Sequence, residues 1–109
     1  MSDTVVIVVP STRRISEPLT KGEARAYVQK TKRFLAEKFG GATAIPGEGA
    51  WITSEGLMVE ENITQVQSFV TSLSETDRAE VILYCQQLRA ELDQVAIMLV
   101  INGDPIFVT

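Results

Sequence analysis

The segment Lys38-Phe39-Gly40-Gly41-Ala42-Thr43-Ala44-Ile45-Pro46-Gly47-Glu48-Gly49-Ala50-Trp51 joins a strongly helical region to a region that favours strands. It contains four of the seven glycines and the only tryptophan of the 109-residue chain. Glycine-rich backbone beside a large aromatic side chain indicates either a tight structural crossover or a segment that contacts a ligand. The structural alternative explains Gly40 as a helix C-cap and Gly47 as part of a tight turn.

A helix is predicted immediately before this segment, over residues 21–39. Thr20-Lys21-Gly22-Glu23 has the pattern of a capping box, in which the threonine hydroxyl accepts a backbone hydrogen bond and the glutamate reaches back to the cap. Gly40 follows the last apolar residue, and Lys38 lies in the final turn, as is typical of a helix C-terminus. Apolar residues at helical spacing give this helix one buried face: Ala24, Tyr27, Val28, Phe34, Leu35 and Phe39.

The residues that follow the helix favour strands. A short strand is predicted over residues 42–45, and residues 49–53 and 57–59 predict a hairpin around the turn Ser54-Glu55-Gly56. Residues 60–70 also favour extended structure. Their apolar positions change parity within the segment, so a single long strand is predicted to need a bulge.

The outer parts of the chain supply two strands that are apolar at every position. Residues 5–9 form the first, which ends at Pro10, and residues 11–19 are predicted to form a loop. Ser74 is the predicted N-cap of a second helix, and residues 95–101 form the second apolar strand. Asn102-Gly103 then predicts a tight turn into a short C-terminal strand.

The predicted order is β-α-β-β-α-β followed by a small terminal strand, in one α+β domain over residues 1–109. This order resembles the ferredoxin-like split β-α-β arrangement, which implies an antiparallel sheet with two helices on one face. Residues 39–60, with a glycine-rich turn, a tryptophan strand and a glutamate after the hairpin, are also similar to small uncharacterised bacterial α+β proteins. These resemblances concern the fold and imply no activity.

The sheet face opposite the helices is the predicted interaction surface. Both outer strands are apolar at positions of either parity, so that face also carries Val, Ile and Met side chains. A large exposed apolar patch marks an interaction surface. We expect a homodimer or a larger homo-oligomer formed through this face, because a two-fold interface buries one patch against itself. A different protein partner is the alternative.

Composition argues against several classes of function. The net charge of −4 and the pI near 4.8 argue against nucleic acid and anionic membranes as partners. The chain has no histidine, on which catalytic triads and the common metal sites depend, and we expect no metal and no cofactor. Its one cysteine, Cys85, lies in an apolar helical pattern typical of a buried structural thiol. No stretch is long enough to span a bilayer, and the N-terminal apolar run is too short for a signal peptide, so we expect the protein in the cytoplasm.

Five side chains are candidate binding residues. Glu48 and Trp51 lie in the predicted loop 46–51, where a carboxylate and an indole together can hold a cationic group. Glu60 adds a second carboxylate from the hairpin region, and Arg13-Arg14 form the one local basic pair, which suits an anion. The alternatives are solvated surface carboxylates and a tryptophan buried in the core or at a subunit interface.

Two classes of function fit these patterns. The first is a non-enzymatic interaction or regulatory module that acts as a homo-oligomer, which the apolar face and the absence of histidine favour. The alternative is a small enzyme of the isomerase or decarboxylase type, or a small-ligand sensor, with a sheet cavity near Trp51 and Glu48 and an arginine that binds an anion.

Overall fold

The computed structural model describes residues 2–14 and 16–109. Within these residues the chain forms seven strands and two α-helices, whose bounds follow in chain order. They are β1 (Asp3–Pro10), β2 (Thr12–Arg13), β3 (Glu17–Pro18), α1 (Lys21–Phe39), β4 (Thr43–Ile52), β5 (Met58–Val70), α2 (Glu75–Glu91), β6 (Ile97–Ile101) and β7 (Asp104–Val108).

The main sheet confirms the predicted ferredoxin-like arrangement. Five strands pair in the order β4-β5-β1-β6-β7, and every pair is antiparallel. The first strand of the chain lies in the middle because β5 and β6 pair with its two edges. The last strand, β7, extends the sheet beyond β6, and β2 and β3 form a separate two-stranded sheet.

Both helices begin where the sequence predicts. The Thr20 hydroxyl accepts from the backbone amide of Glu23, and the Glu23 carboxylate accepts from the amide of Thr20, so the capping box is complete. The backbone at Gly40 is left-handed, with φ of 94°, as a C-cap requires. Ser74 caps α2 by accepting from the amide of Asp77.

The glycine-rich segment differs from its prediction, because residues 46–51 are strand and not loop. β4 continues from Thr43 to Ile52 and pairs with β5 without interruption. Pro46 is accommodated because β4 is an edge strand, so a missing amide on its outer side costs no ladder hydrogen bond. Gly47 does not have a positive φ, and the tight turn predicted there is therefore wrong.

β5 also differs from its prediction, since it needs no bulge. Its register with β4 and with β1 is constant along the whole pairing. The half of β5 near Val66 and Val70 buries one face under the helices, whereas the half near Met58 lies in a hairpin that is exposed or half-buried on both faces. In the outer half of β5 the apolar side chains can therefore change from one face to the other without a bulge, because neither face there has to be buried completely.

The core lies between the helices and one face of the sheet. In β1 the side chains of Val5, Ile7 and Val9 alternate into it, as period-two strand geometry requires. The α2 face and the remaining strands complete the cluster with Val66, Val70, Val81, Tyr84, Cys85, Leu88, Leu92, Ile97, Leu99, Ile101 and Val108, while α1 contributes Leu35.

The two helices are joined by an aromatic and polar contact. The rings of Phe34 in α1 and Tyr84 in α2 stack with centroids 4.2 Å apart. Beneath them the buried Thr31 hydroxyl lies 2.8 Å from the Tyr84 hydroxyl and also donates to the Tyr27 carbonyl. In this contact the hydroxyls of Thr31 and Tyr84 satisfy one another, so the two helices meet without an unpaired hydroxyl between them.

The opposite face of the sheet is uncovered and carries apolar side chains, as predicted, but Gln65 and Gln67 of β5 lie on it directly opposite Val8 and Val6. Val6, Val8 and Val100 are half-buried in its centre. Phe69 in β5 and Phe107 in β7 lie toward its two sides and are 67% and 66% exposed. None of the helices described above packs on this face, so its apolar side chains are in contact with solvent in the single chain.

Cys85 is fully buried in α2, and burial raises the pKa of its thiol to about 12. Since only the thiolate reacts, we expect the native protein to be labelled by a thiol reagent at least about a hundredfold more slowly than the chain in denaturant. Between pH 9 and 12 the unfolded thiol is already largely ionised while the ionised fraction of the native thiol still rises with pH, so this ratio should narrow over that range. Mass spectrometry of labelled protein over time measures both rates, and equal rates would contradict a buried thiol.

No helix in the described part of the chain is long and apolar enough to cross a membrane.

Candidate functional site

A cavity of about 580 Å³ lies where the first turns of α1 leave the helix-covered face of the sheet. Val9 at the end of β1 and Ala24 and Val28 of α1 form apolar walls. Pro46 of β4 and Thr64 of β5 lie opposite, as neighbours in the β4–β5 ladder. A cavity of this size is within the range that holds small-molecule ligands.

The segment between β1 and α1 forms the rim of this cavity through Ser11, Pro18 and Leu19. It folds back on itself, since the amide of Leu19 donates to the carbonyl of Ser11 at 2.9 Å. Gln94, which follows α2, holds it from outside by donating from Nε2 to the carbonyls of Thr12 and Arg14 at 2.8 and 2.7 Å. The rim is therefore attached to the core of the fold.

Glu48 and Asn62 form the polar side of the cavity. They are direct partners in the β4–β5 ladder, so their side chains lie on the same face of the sheet. Both also line a smaller adjoining cavity of about 240 Å³ together with Glu60 and Glu61. The structure therefore places the two predicted carboxylates, Glu48 and Glu60, together in the lining of the smaller cavity, and only Glu48 also lines the larger one.

Lys21, the first residue of α1, supplies a positive charge to the same cavity. Sequence reasoning identified it only as a helix residue. Asn62 was also missed, although the hairpin turn at Ser54-Glu55-Gly56 contains the necessary signal. Counting outward from that turn in antiparallel register pairs residue 48 with residue 62.

Trp51 does not join Glu48 at this site. The two residues are three positions apart in one strand, so their side chains lie on opposite faces of the sheet. Trp51 pairs with Val59 far along the hairpin, is 42% exposed and lines neither cavity. Because of the pleat of β4, the Glu48 carboxylate and the Trp51 indole do not face the same side, as a shared cationic ligand would require.

Arg13 and Arg14 also lie outside the two cavities. Arg13 donates from Nη1 to the carbonyl of Glu91 at 2.7 Å. Arg14 donates to Asp93 at 3.0 Å and to Glu17 at 2.8 Å, and these carboxylates raise the pKa of its guanidinium. Both arginines therefore attach the rim segment to the end of α2, and neither of them lines the cavity.

Comparison with protein-family models and with curated proteins found no match. Among solved structures, the fold is similar to that of a phage SAM lyase in complex with S-methyl-5'-thioadenosine, with 19% sequence identity and a TM-score of 0.72. That match covers 99% of this chain and 89% of the other. A phage SAM lyase in the apo state matches at 20% identity and a TM-score of 0.69, over 98% and 88% of the two chains.

These matches contradict the prediction of a non-enzymatic module, because the architecture shared along nearly the whole chain is that of an enzyme in both comparison proteins. The alternative, a small enzyme with a sheet cavity near Glu48, agrees better with the fold and with the cavity. The absence of histidine argues against sites that depend on histidine and not against catalysis in general.

Proposed function

We propose that this protein is a small lyase that cleaves S-adenosylmethionine to S-methyl-5'-thioadenosine without water. The observation that carries the proposal is the match to the two SAM lyase structures along 99% and 98% of the chain. A second observation supports it, namely the cavity of about 580 Å³ with Glu48 in its lining and with Glu60 and Glu61 in the smaller adjoining cavity. The substrate is a sulfonium cation, and a carboxylate-lined entrance attracts a cation.

The chemistry requires neither a histidine nor a metal. The bond between the sulfonium sulfur and the aminobutyryl chain breaks, and its electron pair goes to the sulfur, which leaves as a neutral sulfide. The carbon that loses sulfur can be attacked by the substrate's own carboxylate oxygen, which gives homoserine lactone. Alternatively, a base removes a proton from the adjacent carbon, which gives vinylglycine. Either route is balanced without a further reactant.

The apolar walls suit the first route. When a carboxylate attacks a sulfonium carbon, a negative and a positive charge disappear together, so water stabilises the reactants more than the transition state. Val9 and Val28 replace part of that water with hydrocarbon. The cavity also holds the aminobutyryl chain in a folded conformation, and such positioning contributes to rate because it removes conformational freedom before the reaction.

The two carboxylates of the site have a different role. Glu48 and Glu60 stabilise the cationic substrate, and this attraction weakens as the sulfur becomes neutral. Interactions of that kind improve binding more than they accelerate the chemical step. In the elimination route one of them would in addition serve as the base that accepts the proton.

The test is direct product analysis. Purified protein is incubated with S-adenosylmethionine, and S-methyl-5'-thioadenosine is quantified by liquid chromatography and mass spectrometry against a control without protein. The four-carbon product separates the routes, because the lactone hydrolyses to homoserine whereas vinylglycine does not. A rate of product formation equal to that of the control would contradict the proposed function. The cytoplasm, where S-adenosylmethionine is made, is the proposed location.

We propose further that copies of the chain associate through the uncovered sheet face. Support comes from its apolar centre at Val6 and Val100 and from the two exposed phenylalanines, Phe69 and Phe107, on either side of that centre. A two-fold contact would bring the phenylalanines of one copy onto the valines of the other and remove both from water.

Sedimentation equilibrium tests this assembly. We expect a multiple of 12.0 kDa for the unaltered chain at micromolar concentration, and a 12.0 kDa species for Phe107→Lys, because a buried unpaired charge opposes the contact. The control is Leu83→Lys, which alters another exposed apolar residue, on α2. A 12.0 kDa species for the unaltered chain would contradict the proposal.

A further inference from the structure

We propose that Lys21 binds the α-carboxylate of the substrate's amino-acid group and so selects nucleosides that carry an aminobutyrate chain. This inference rests on the proposed function. It names a residue that determines specificity at the same cavity, and its test separates the two proposals.

The first argument is the electrostatic state of Lys21. It lines the cavity, yet it takes part in none of the salt bridges within the residues that the structure describes. Of the other three lysines of α1, Lys30 and Lys38 are paired with carboxylates on α2. Lys32 is in no salt bridge among the described residues either, but it lines neither cavity. The Lys21 ammonium group is therefore available to a ligand.

The second argument is the arrangement of charge around the cavity. Glu48 lines the same cavity and forms no salt bridge with Lys21 among the described residues. A cavity with one cation and one anion that do not neutralise each other is complementary to a ligand that carries both charges. The aminobutyrate end of S-adenosylmethionine is such a ligand, with a carboxylate close to an ammonium and a sulfonium. The carboxylate would pair with Lys21 and the cationic groups with Glu48.

The third argument is the space around the start of α1. At the neighbouring Gly22, an added Cβ would meet no atom within 4 Å, so there is open space beside this residue. The helix N-terminus carries a partial positive charge that reinforces attraction of a carboxylate to Lys21. These features support the position of the carboxylate, and the unpaired lysine in the cavity carries the proposal.

Two ligands distinguish this role from others. S-adenosylhomocysteine keeps the aminobutyrate chain and has a neutral sulfur, so it binds without being cleaved in this reaction. S-methyl-5'-thioadenosine has no aminobutyrate chain. For Lys21→Met we expect the Kd of S-adenosylhomocysteine to rise about tenfold, the change that corresponds to one charge-assisted contact of 1.4 kcal/mol. We expect the Kd of S-methyl-5'-thioadenosine to stay within about twofold of its original value.

Isothermal titration calorimetry measures these constants, with Lys32→Met as the control because Lys32 lies on the same helix and lines neither cavity. Lys21→Arg keeps the charge and should restore most of the affinity for S-adenosylhomocysteine. Equal weakening of both ligands in Lys21→Met, or no weakening of either, would overturn the role of Lys21 and leave the proposed function intact. If the unaltered protein bound neither ligand, both proposals would be overturned.

Discussion

Ala24→Trp should reduce kcat/KM for cleavage of S-adenosylmethionine by about a hundredfold or more, because productive geometry in a small cavity does not tolerate displacement of the substrate. Ala24 lies on α1 and forms part of the cavity wall. An indole at this position occupies the space that the substrate needs. The helix itself should be preserved, since the new side chain extends into a cavity rather than into the packed core.

Ala26→Trp is the matched control, because Ala26 lies two residues further along α1, is exposed and lines neither cavity. Initial rates of S-methyl-5'-thioadenosine formation give kcat/KM for both variants, and circular dichroism reports their helix content. Retained activity in Ala24→Trp with an intact fold would show that the reaction takes place elsewhere on the protein.

Leu99→Ala should produce the largest loss of stability, about 3–5 kcal/mol in the free energy of unfolding. Leu99 is fully buried at the centre of β6, directly opposite Ile7 of β1 and Ile106 of β7. Its removal leaves a void beneath α2 that the neighbouring strands cannot fill, because both are held in register by the sheet. For a chain of this length the melting temperature should fall by roughly 10 °C or more.

The control for this prediction is Val95→Ala, which removes an apolar side chain that is 74% exposed and precedes β6. Its free energy of unfolding should change by less than about 0.5 kcal/mol. Urea titration followed by circular dichroism measures both values. A loss below about 1 kcal/mol for Leu99→Ala would contradict the placement of β6 in the middle of the core.

Strand pairing explains where the structure places the predicted site residues. Glu48 and Glu60 were selected because carboxylates lie close together in the sequence around the hairpin. Trp51 was selected on the same basis, but successive side chains of a strand point to opposite faces of the sheet. Glu60 therefore lies beside Glu48 in the smaller cavity, whereas Trp51 lies on the other face. Arg13 and Arg14 find their partners on α2 and after it, at residues about eighty positions away, and no local pattern contains that information.

Elements that depend on a few adjacent residues could therefore be predicted from the sequence alone. The capping box at Thr20, the left-handed Gly40 and the Asn102-Gly103 turn depend on a few adjacent residues, and each appears where its pattern predicts. The order of apolar strand segments and amphipathic helices along the chain was enough to indicate the ferredoxin-like arrangement, because few sheet topologies satisfy short connections and burial together. The uncovered apolar face followed from the same pattern.

The cavity was decided only by tertiary structure. Residues of β1, α1, β4, β5 and the segment before α1 line it together, so it forms only once α1 has packed on the sheet. Lys21 and Asn62 lie 41 positions apart in the chain and line the same cavity only after β4 and β5 have paired and α1 has packed on them. Packing of distant segments is a property of the whole fold, and a local pattern of residues does not encode it.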